Sequence, residues 1–448
     1  MLARPFRLLI STVGIALLAA APAAAADWGP VHVITGNGEV GFDLAMGADG
    51  TAALSYSESG RWIRVAVKRP GHRWGAPVRV NDGRFGVWRT SVAVDGKGRV
   101  VVAWSQSGSR AGSRGGTKGP LTVRAAERSA RGAWSAPRVL GRSLHFVEAA
   151  PNVAANARGD VIVTWRGLRH IAGQRRSVDA VQSAYRPAGG RFGRTQSVRE
   201  GGARLGIVAP VSAIDDRGTA YAAWTISSGP TVRLAARSRG ADGSWRLPRT
   251  LGAAPSSNPE IVVTTDRAAI VAWHAAQLDS EGNGLQSGPL DVATRLPDGS
   301  MTAPQQIADT PTRSYRLAAA PGGETLLTWS PSEGEALPAP GELDLRWAVR
   351  PAAGGAFGAG QIAAGVQPVE FHGGPAALGD GTFLEAYGMS DDHVRVVARP
   401  PGGVFAASPE LDVKGQYPLV VAAGRRAVAV WGVGVGERFS LVSAARGA

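Results

Sequence analysis

The stretch Ser91–Trp104, SVAVDGKGRVVVAW, consists of two short apolar segments separated by a polar turn, the second ending on an aromatic residue. Seven further stretches share this form: DLAMGADGTAALSY (43–56), PNVAANARGDVIVTW (151–165), PVSAIDDRGTAYAAW (210–224), PEIVVTTDRAAIVAW (259–273), YRLAAAPGGETLLTW (315–329), GPAALGDGTFLEAY (374–387) and YPLVVAAGRRAVAVW (417–431). Their closing aromatics are Tyr56, Trp104, Trp165, Trp224, Trp273, Trp329, Tyr387 and Trp431, at a mean period of about 54 residues. Short segments joined by Gly- and Asp-bearing turns, without sustained i, i+3, i+4, i+7 spacing, read as β-strands. Segments such as Arg99–Trp104 are apolar on both pleat faces, so each expects a neighbour on either side. The aromatics are accordingly assigned to packing between repeats.

The second half of the repeat recurs as well, as in VRAAERSARGAWSAPRVL (123–140) and VRLAARSRGADGSWRLPRTL (232–251). It supplies a third strand, a Gly turn, and a large residue opening a fourth strand. A period of this length suits one four-stranded blade, and the expected fold is an all-β, eight-bladed β-propeller. A seven-bladed ring is the alternative if the copy at 374–387 or the last copy is irregular. The eighth repeat stops at FSLVSAARGA without a fourth strand, whereas DWGPVHVI (27–34) matches AWSAPRVL in its Trp, Pro and apolar ending. The segment Trp28–Ile34 is therefore expected to pair with Phe439–Ala445, which would leave no open sheet edge at either end.

The turn SRGADGSW, Ser238–Trp245, resembles the Asp-box of sialidase-type propellers through Asp242, Gly243 and Trp245, with one residue inserted. A degenerate copy, LPDGSM, keeps Asp298 and Gly299 but ends on Met301, and SARGAW lacks the Asp. In that family the turn is structural, so the resemblance implies fold and not activity. A catalytic sialidase would be expected to carry an N-terminal Phe-Arg-Ile-Pro-type motif; the segment before the first repeat reads VITGNGEVGFD instead.

The N-terminus has Arg4 and Arg7, an apolar run from Leu8 to Ala21 and an Ala24-x-Ala26 site, the form of an export signal cut after Ala26. Its apolar run is short for a membrane span of roughly 20 residues. Residues 27–448 are then expected to form a single secreted propeller domain, with no membrane insertion. The chain has Cys 0, so neither disulfides nor thiolate chemistry contribute. The seven His residues lie far apart, without zinc-type spacing, and neither a Gly-x-Ser-x-Gly elbow nor a phosphate-binding Gly-Lys loop is present. LDSEGNG (278–284) alternates acidic and polar residues but lacks the distal Glu of a calcium loop, and reads as solvated. No cofactor and no metal is called for.

Charge carries the functional signal. Residues 61–250 hold 34 Lys and Arg against 10 Asp and Glu, whereas residues 251–448 hold 13 against 20. Nearly all the cations are Arg, which holds carboxylate and phosphate by paired hydrogen bonds. In a ring of repeats this becomes a basic arc and an acidic arc. The connections after the second strands are expected on one face, where SQSGSRAGSRGGTKGP (105–120) and RGLRHIAGQRRS (166–177) form long basic loops, and the link RFGVWR (84–89) adds Trp88. The candidate ligand-binding residues are Trp88, Arg110, Arg114, His145, Arg166, Arg169, His170, Arg175 and Arg176. The favoured function is a non-catalytic binding propeller for an anionic polymer, acidic glycan or acidic protein surface, with a sialidase-like glycoside hydrolase as the alternative. Nucleic acid ranks last because no recognised binding motif accompanies the basic arc.

Overall fold

The computed structural model describes residues 28–447 except 40, 111–120, 144–150, 171–176, 201–204, 229–230, 241, 254–258, 276–287, 332–343, 364–365, 367–371, 389–390 and 435–437. The proposed export signal lies outside the described residues. Every helix or strand assigned among them is a strand, and the strands form six four-stranded antiparallel sheets and one seven-stranded sheet. Five of the four-stranded sheets each follow one sequence repeat. In repeat 1 the order is Asp43–Met46, Ala52–Glu58, Trp62–Lys68 and Val78–Arg79. The seven-stranded sheet joins repeats 5 and 6, because the long strand Gln305–Ala319 is the last strand of one and the first of the other.

Repeat 8 contributes Gln416–Ala423, Arg426–Val433 and Arg438–Arg446, and its fourth strand is His32–Glu39 from the opposite end of the chain. Val33 pairs with Val442 and Glu39 with Arg438, so the pairing runs five residues beyond the expected Ile34. Trp28 forms an isolated bridge with Arg446, the same relation that Trp74 has to Lys68, Trp134 to Arg128 and Trp245 to Arg239. The first strand of each repeat lies against that of the next, and the first strand of repeat 8 lies against that of repeat 1. Polar side chains link several of these strands: Asp43 accepts from the Val92 amide at 2.8 Å, Asn152 from the Ser212 amide at 2.8 Å, and Glu260 from Arg316 at 3.1 Å.

The core lies between the sheets. All eight repeat aromatics are at most 2% exposed. Trp165 packs among Val101, Ala103 and Val123 of repeat 2 and Val163 and Ala184 of its own repeat, with its indole N–H donated to Gln182 at 2.9 Å. Complete burial of such a ring stabilises by about 1.5–3 kcal/mol, so the eight together are a main source of cohesion between sheets. The turns are closed by short acceptors: Asp95 takes the amides of Lys97 and Arg99 at 2.9 and 3.0 Å, and Gly98 stands at φ 70°, where a Cβ would be strained. The Asp-box-like turns behave alike, with Asp242 accepting from the Ser244 hydroxyl at 2.8 Å and Asp298 from that of Ser300 at 2.7 Å.

A second repeated position emerges only in the fold. The third strand of every repeat ends in a cation, at Lys68, Arg128, Arg186, Arg239, Arg295, Arg350, Arg399 and Arg446. Six of these side chains reach back to the preceding repeat. Arg186 pairs with Glu127, Arg350 approaches Asp266 at 3.8 Å, Arg399 pairs with Glu324 at 2.6 Å and Arg446 with Glu410 at 3.2 Å. Arg239 and Arg295 lie instead over the rings of Tyr185 and Tyr221, at 4.0 and 5.4 Å. Arg128 has no acceptor among the described residues and faces Arg69, and burial followed by that like charge lowers its pKa.

Candidate functional site

Strand length builds relief on the face where the second strands run past their aromatics. Val100–Arg110 continues six residues beyond Trp104, Val161–His170 five beyond Trp165 and Ala220–Ser228 four beyond Trp224. In repeats 5 and 7 the strands Ala269–His274 and Phe383–Gly388 end one residue past the aromatic. At about 3.3 Å per residue the hairpins of repeats 2 and 3 rise roughly 15–20 Å past their aromatics. The tall hairpins belong to the basic half of the sequence.

Two loop expectations are corrected by this. The expected link RFGVWR is largely strand: Phe85–Val94 is continuous, with Trp88 opposite Ser105 and Phe85 opposite Arg110. The expected loop beginning at Arg166 is also strand as far as His170, where Arg166 pairs with Val181, Arg169 with Val178 and His170 with Ser177. Backbone pairing continues past the aromatic because the opposite strand supplies partners there, which Gly- and Arg-rich composition does not reveal.

Among the candidate ligand residues, Arg114, His145, Arg175 and Arg176 lie outside the described residues. Trp88, Arg110, Arg169 and His170 have defined strand positions, the last three at the ends of the tall hairpins. Arg166 differs from the exposed cation expected: it is 8% exposed and donates to Asp179 at 2.8 Å. Asp179 holds its charge within its own hairpin. The polar loop LDSEGNG also falls outside the described residues.

The hairpin of repeat 1 presents a group that sequence reading missed. The guanidiniums of Arg61 and Arg79 lie over the Trp62 ring, 5.2 and 4.3 Å from its centroid. Gly83, at φ 64°, lets the backbone pass against the indole; a Cβ there would fall 2.2 Å from the ring. Arg61 donates to the Gly83 carbonyl at 2.6 Å, and Asn81 braces the hairpin by accepting from the Ile63 amide and donating to the Arg61 carbonyl, at 2.8 and 2.9 Å. Both Arg61 and Arg79 are exposed and have no carboxylate partner among the described residues. The available signal was Trp62 itself, an aromatic outside the repeat positions and next to a Ser-Gly-Arg turn.

In the other half several cations are paired. On repeat 7, Arg395 donates to Asp412 and Asp391, each at 2.9 Å, and His393 lies 2.6 Å from Asp412. Burial works against ionisation of Asp412, but hydrogen bonds from His393 and Arg395 outweigh it and lower its pKa. Arg316 is likewise paired, with Glu260. In the basic half, exposed Arg61, Arg69, Arg79, Arg89 and Arg249 carry no such partner among the described residues. Exposed cations without a carboxylate partner among the described residues also occur in the other half, at Lys414, Arg425 and Arg426. The carboxyl group of Asp43 has its pKa raised by burial, while its oxygens take the Val92 and Leu44 amides at 2.8 and 2.9 Å, which ties it to holding first strands together.

Neither family models nor curated proteins match the chain, so the sialidase resemblance remains a likeness of turns. Solved structures do match. The lectin BP39L from Burkholderia pseudomallei superposes with a TM-score of 0.50 at 14% identity, over 83% of this chain and 99% of the lectin. The polysaccharide lyase Uly1 gives a TM-score of 0.49 at 8% identity over 93% and 91% of the two chains. An ulvan lyase gives 0.44 at 12% identity over 91% and 94%. At such identities the similarity to the lectin is one of fold: an all-β protein of β-propeller type.

Proposed function

We propose that the chain is an exported eight-bladed β-propeller, completed by pairing of His32–Glu39 with Arg438–Arg446, that binds an acidic glycan without cleaving it. The ring reading is supported by the eight sequence repeats and by the contact of the first strand of repeat 8 with that of repeat 1. Export is supported by the sequence of residues 1–26 alone. The observation that carries the binding reading is the pair of exposed guanidiniums, Arg61 and Arg79, that lie over the Trp62 ring without a carboxylate partner among the described residues. Held in place over the indole, the two guanidiniums offer paired N–H donors to the carboxylate or sulfate of an acidic sugar. The fold shared with a lectin makes carbohydrate the first polymer class to test.

The test uses residues 27–448 with polygalacturonate, and neutral dextran as control, at several salt concentrations. Binding is expected to the acidic polymer only, weakening as salt rises because screening acts within about 8 Å at physiological ionic strength. Trp62→Ala, and Arg61→Gln with Arg79→Gln, should each weaken it about tenfold, the range of cation–π and charge-assisted contacts. Equal binding of dextran, or unchanged affinity in both variants, would refute the assignment. Release of reducing or unsaturated ends from the polymer would establish the enzymatic alternative.

A further inference from the structure

Seven of the eight repeats place an aromatic ring at the opening of the fourth strand, packed back on the preceding repeat. Trp74 donates to Ser443 of repeat 8 at 2.9 Å, Trp134 packs with Ile63 and Val65 of repeat 1, and Trp245 donates to Ser183 of repeat 3 at 3.3 Å. Phe192, Phe357 and Phe405 are 3–6% exposed in the same role, and Trp28 packs on repeat 7 with its indole N–H directed to Glu410 at 3.2 Å. Repeat 5 departs from the rule with Met301, whose bridge to Arg295 marks the equivalent position. A cavity of about 390 Å³ opens beside it, between repeats 4 and 5.

The walls of this cavity have two characters. Ala222, Ala236, Ile261, Val271 and Met301 make an apolar slot, and Leu247, 84% exposed, stands at its side. Arg237, Arg246, Arg249 and Arg295 supply cations to the same cavity. Arg237 donates to the Trp245 carbonyl at 3.0 Å and Arg246 lies 3.3 Å from Asp242, but Arg249 and Arg295 have no carboxylate partner among the described residues. The volume is within the range of small-molecule sites, about 300–1,000 Å³.

We propose that this cleft is a second binding site, for a small arylcarboxylate: a flat aromatic ring carrying one carboxylate on a short arm. The ring enters where the other repeats hold their own indole or phenyl group. The carboxylate meets Arg249 and Arg295, which can each offer paired N–H donors. A neutral aromatic would leave these cations without an anion, and a bare anion would leave the apolar slot empty, so the two features together select the ligand class. The site is independent of the glycan reading, because it lies between two blades and uses none of the repeat 1 hairpin.

Calorimetric titration of residues 27–448 with 3-indolylacetate, and with 3-indolylacetamide as the uncharged probe, tests this. Saturable binding of the acid is expected, at least tenfold tighter than that of the amide. Arg249→Gln with Arg295→Gln should remove this preference. Met301→Trp should abolish binding by restoring the ring that other repeats carry, with polygalacturonate binding unchanged, and Met301→Phe provides the same test with less bulk should the Trp variant fail to fold. Absence of saturable binding, equal affinity for acid and amide, or full affinity in a folded Met301 variant would overturn the proposal.

Discussion

Replacing Arg186 by Met should destabilise the fold, whereas the same change at the equivalent position Arg128 should not. Arg186 is 3% exposed, pairs with Glu127 across the boundary between repeats and donates to the Gly159 carbonyl at 3.1 Å. Hydrogen bonds to charged groups contribute about 1.5–3 kcal/mol each. Two facts reduce the sum: the Arg186 Nε is buried without an acceptor, and Glu127, with a side chain 31% exposed, can regain water when its partner is lost. Methionine keeps most of the buried stem volume. The expected loss is about 2–3 kcal/mol, and in a chain of this size that lowers the thermal midpoint by roughly 2–4 °C, an extrapolation of the size scaling to a larger domain. Arg128 has no acceptor among the described residues and is disfavoured by Arg69. Its replacement should leave the midpoint unchanged within about 1 °C or raise it slightly, since relief of a partly exposed like-charge contact is worth little. Scanning calorimetry of the two variants and the parent, at low and high salt, provides the measurement. Equal losses at both positions would mean that the third-strand cations act through their stems alone, and a neutral Arg186→Met would remove the pairing from the account of stability.

Removing residues 27–39 should lower the midpoint and expose the edge of Arg438–Arg446, with concentration-dependent association in light scattering; an unchanged, monodisperse protein would contradict closure by the N-terminal strand. Tyr185 and Tyr221 have pKa values pushed up to about 12, first by burial and then by Asp160 and Asp215. A raised folded-state pKa means that the native state holds these protons more tightly than the unfolded chain, so stability is full below pH 10 and falls as pH rises from about 10 to 12. Tyr185→Phe with Tyr221→Phe should flatten that fall, and an identical pH profile would show that other groups govern it. Gly83→Ala should displace Trp62, read as a change in tryptophan fluorescence, and weaken polygalacturonate binding about as much as Trp62→Ala; an unaltered spectrum would show that the indole does not need that backbone approach.

The repeat was legible in sequence because its marks are local. An aromatic at the end of an apolar strand recurs in all eight repeats and a Gly at positive φ in seven, repeat 5 having Arg267 there, while Asp95, Asn156 and Asp215 open the turns of repeats 2, 3 and 4; each answers a requirement set within a few residues. Burial of Tyr56, Trp104 and their six counterparts follows from the same pattern. The uneven charge was equally plain, since counting needs no coordinates. Where strands end was not legible. Composition marked residues 84–89 and 166–177 as links and loops, but pairing with the next strand carries Phe85–Val94 and Val161–His170 through much of both.

Which cations are available to a ligand was also decided only by tertiary contacts. Arg166 and Arg169 are three residues apart in the sequence and read alike, yet Asp179, brought opposite by the hairpin, commits the first of them. Arg128 and Arg186 occupy the same repeat position, but only Arg186 has an acid across the boundary. Trp62 gained its guanidiniums from the turn at Arg61 and the strand Val78–Arg79, and the cleft at Met301 opens where the other repeats press an aromatic ring on the repeat before them. The sequence by itself determined the repeating strand pattern, the buried aromatics and the uneven charge, because these depend on residue type at short range. Only the tertiary structure decided which charges are spent, which are free and where a ring is missing, because those depend on the neighbour that folding brings alongside.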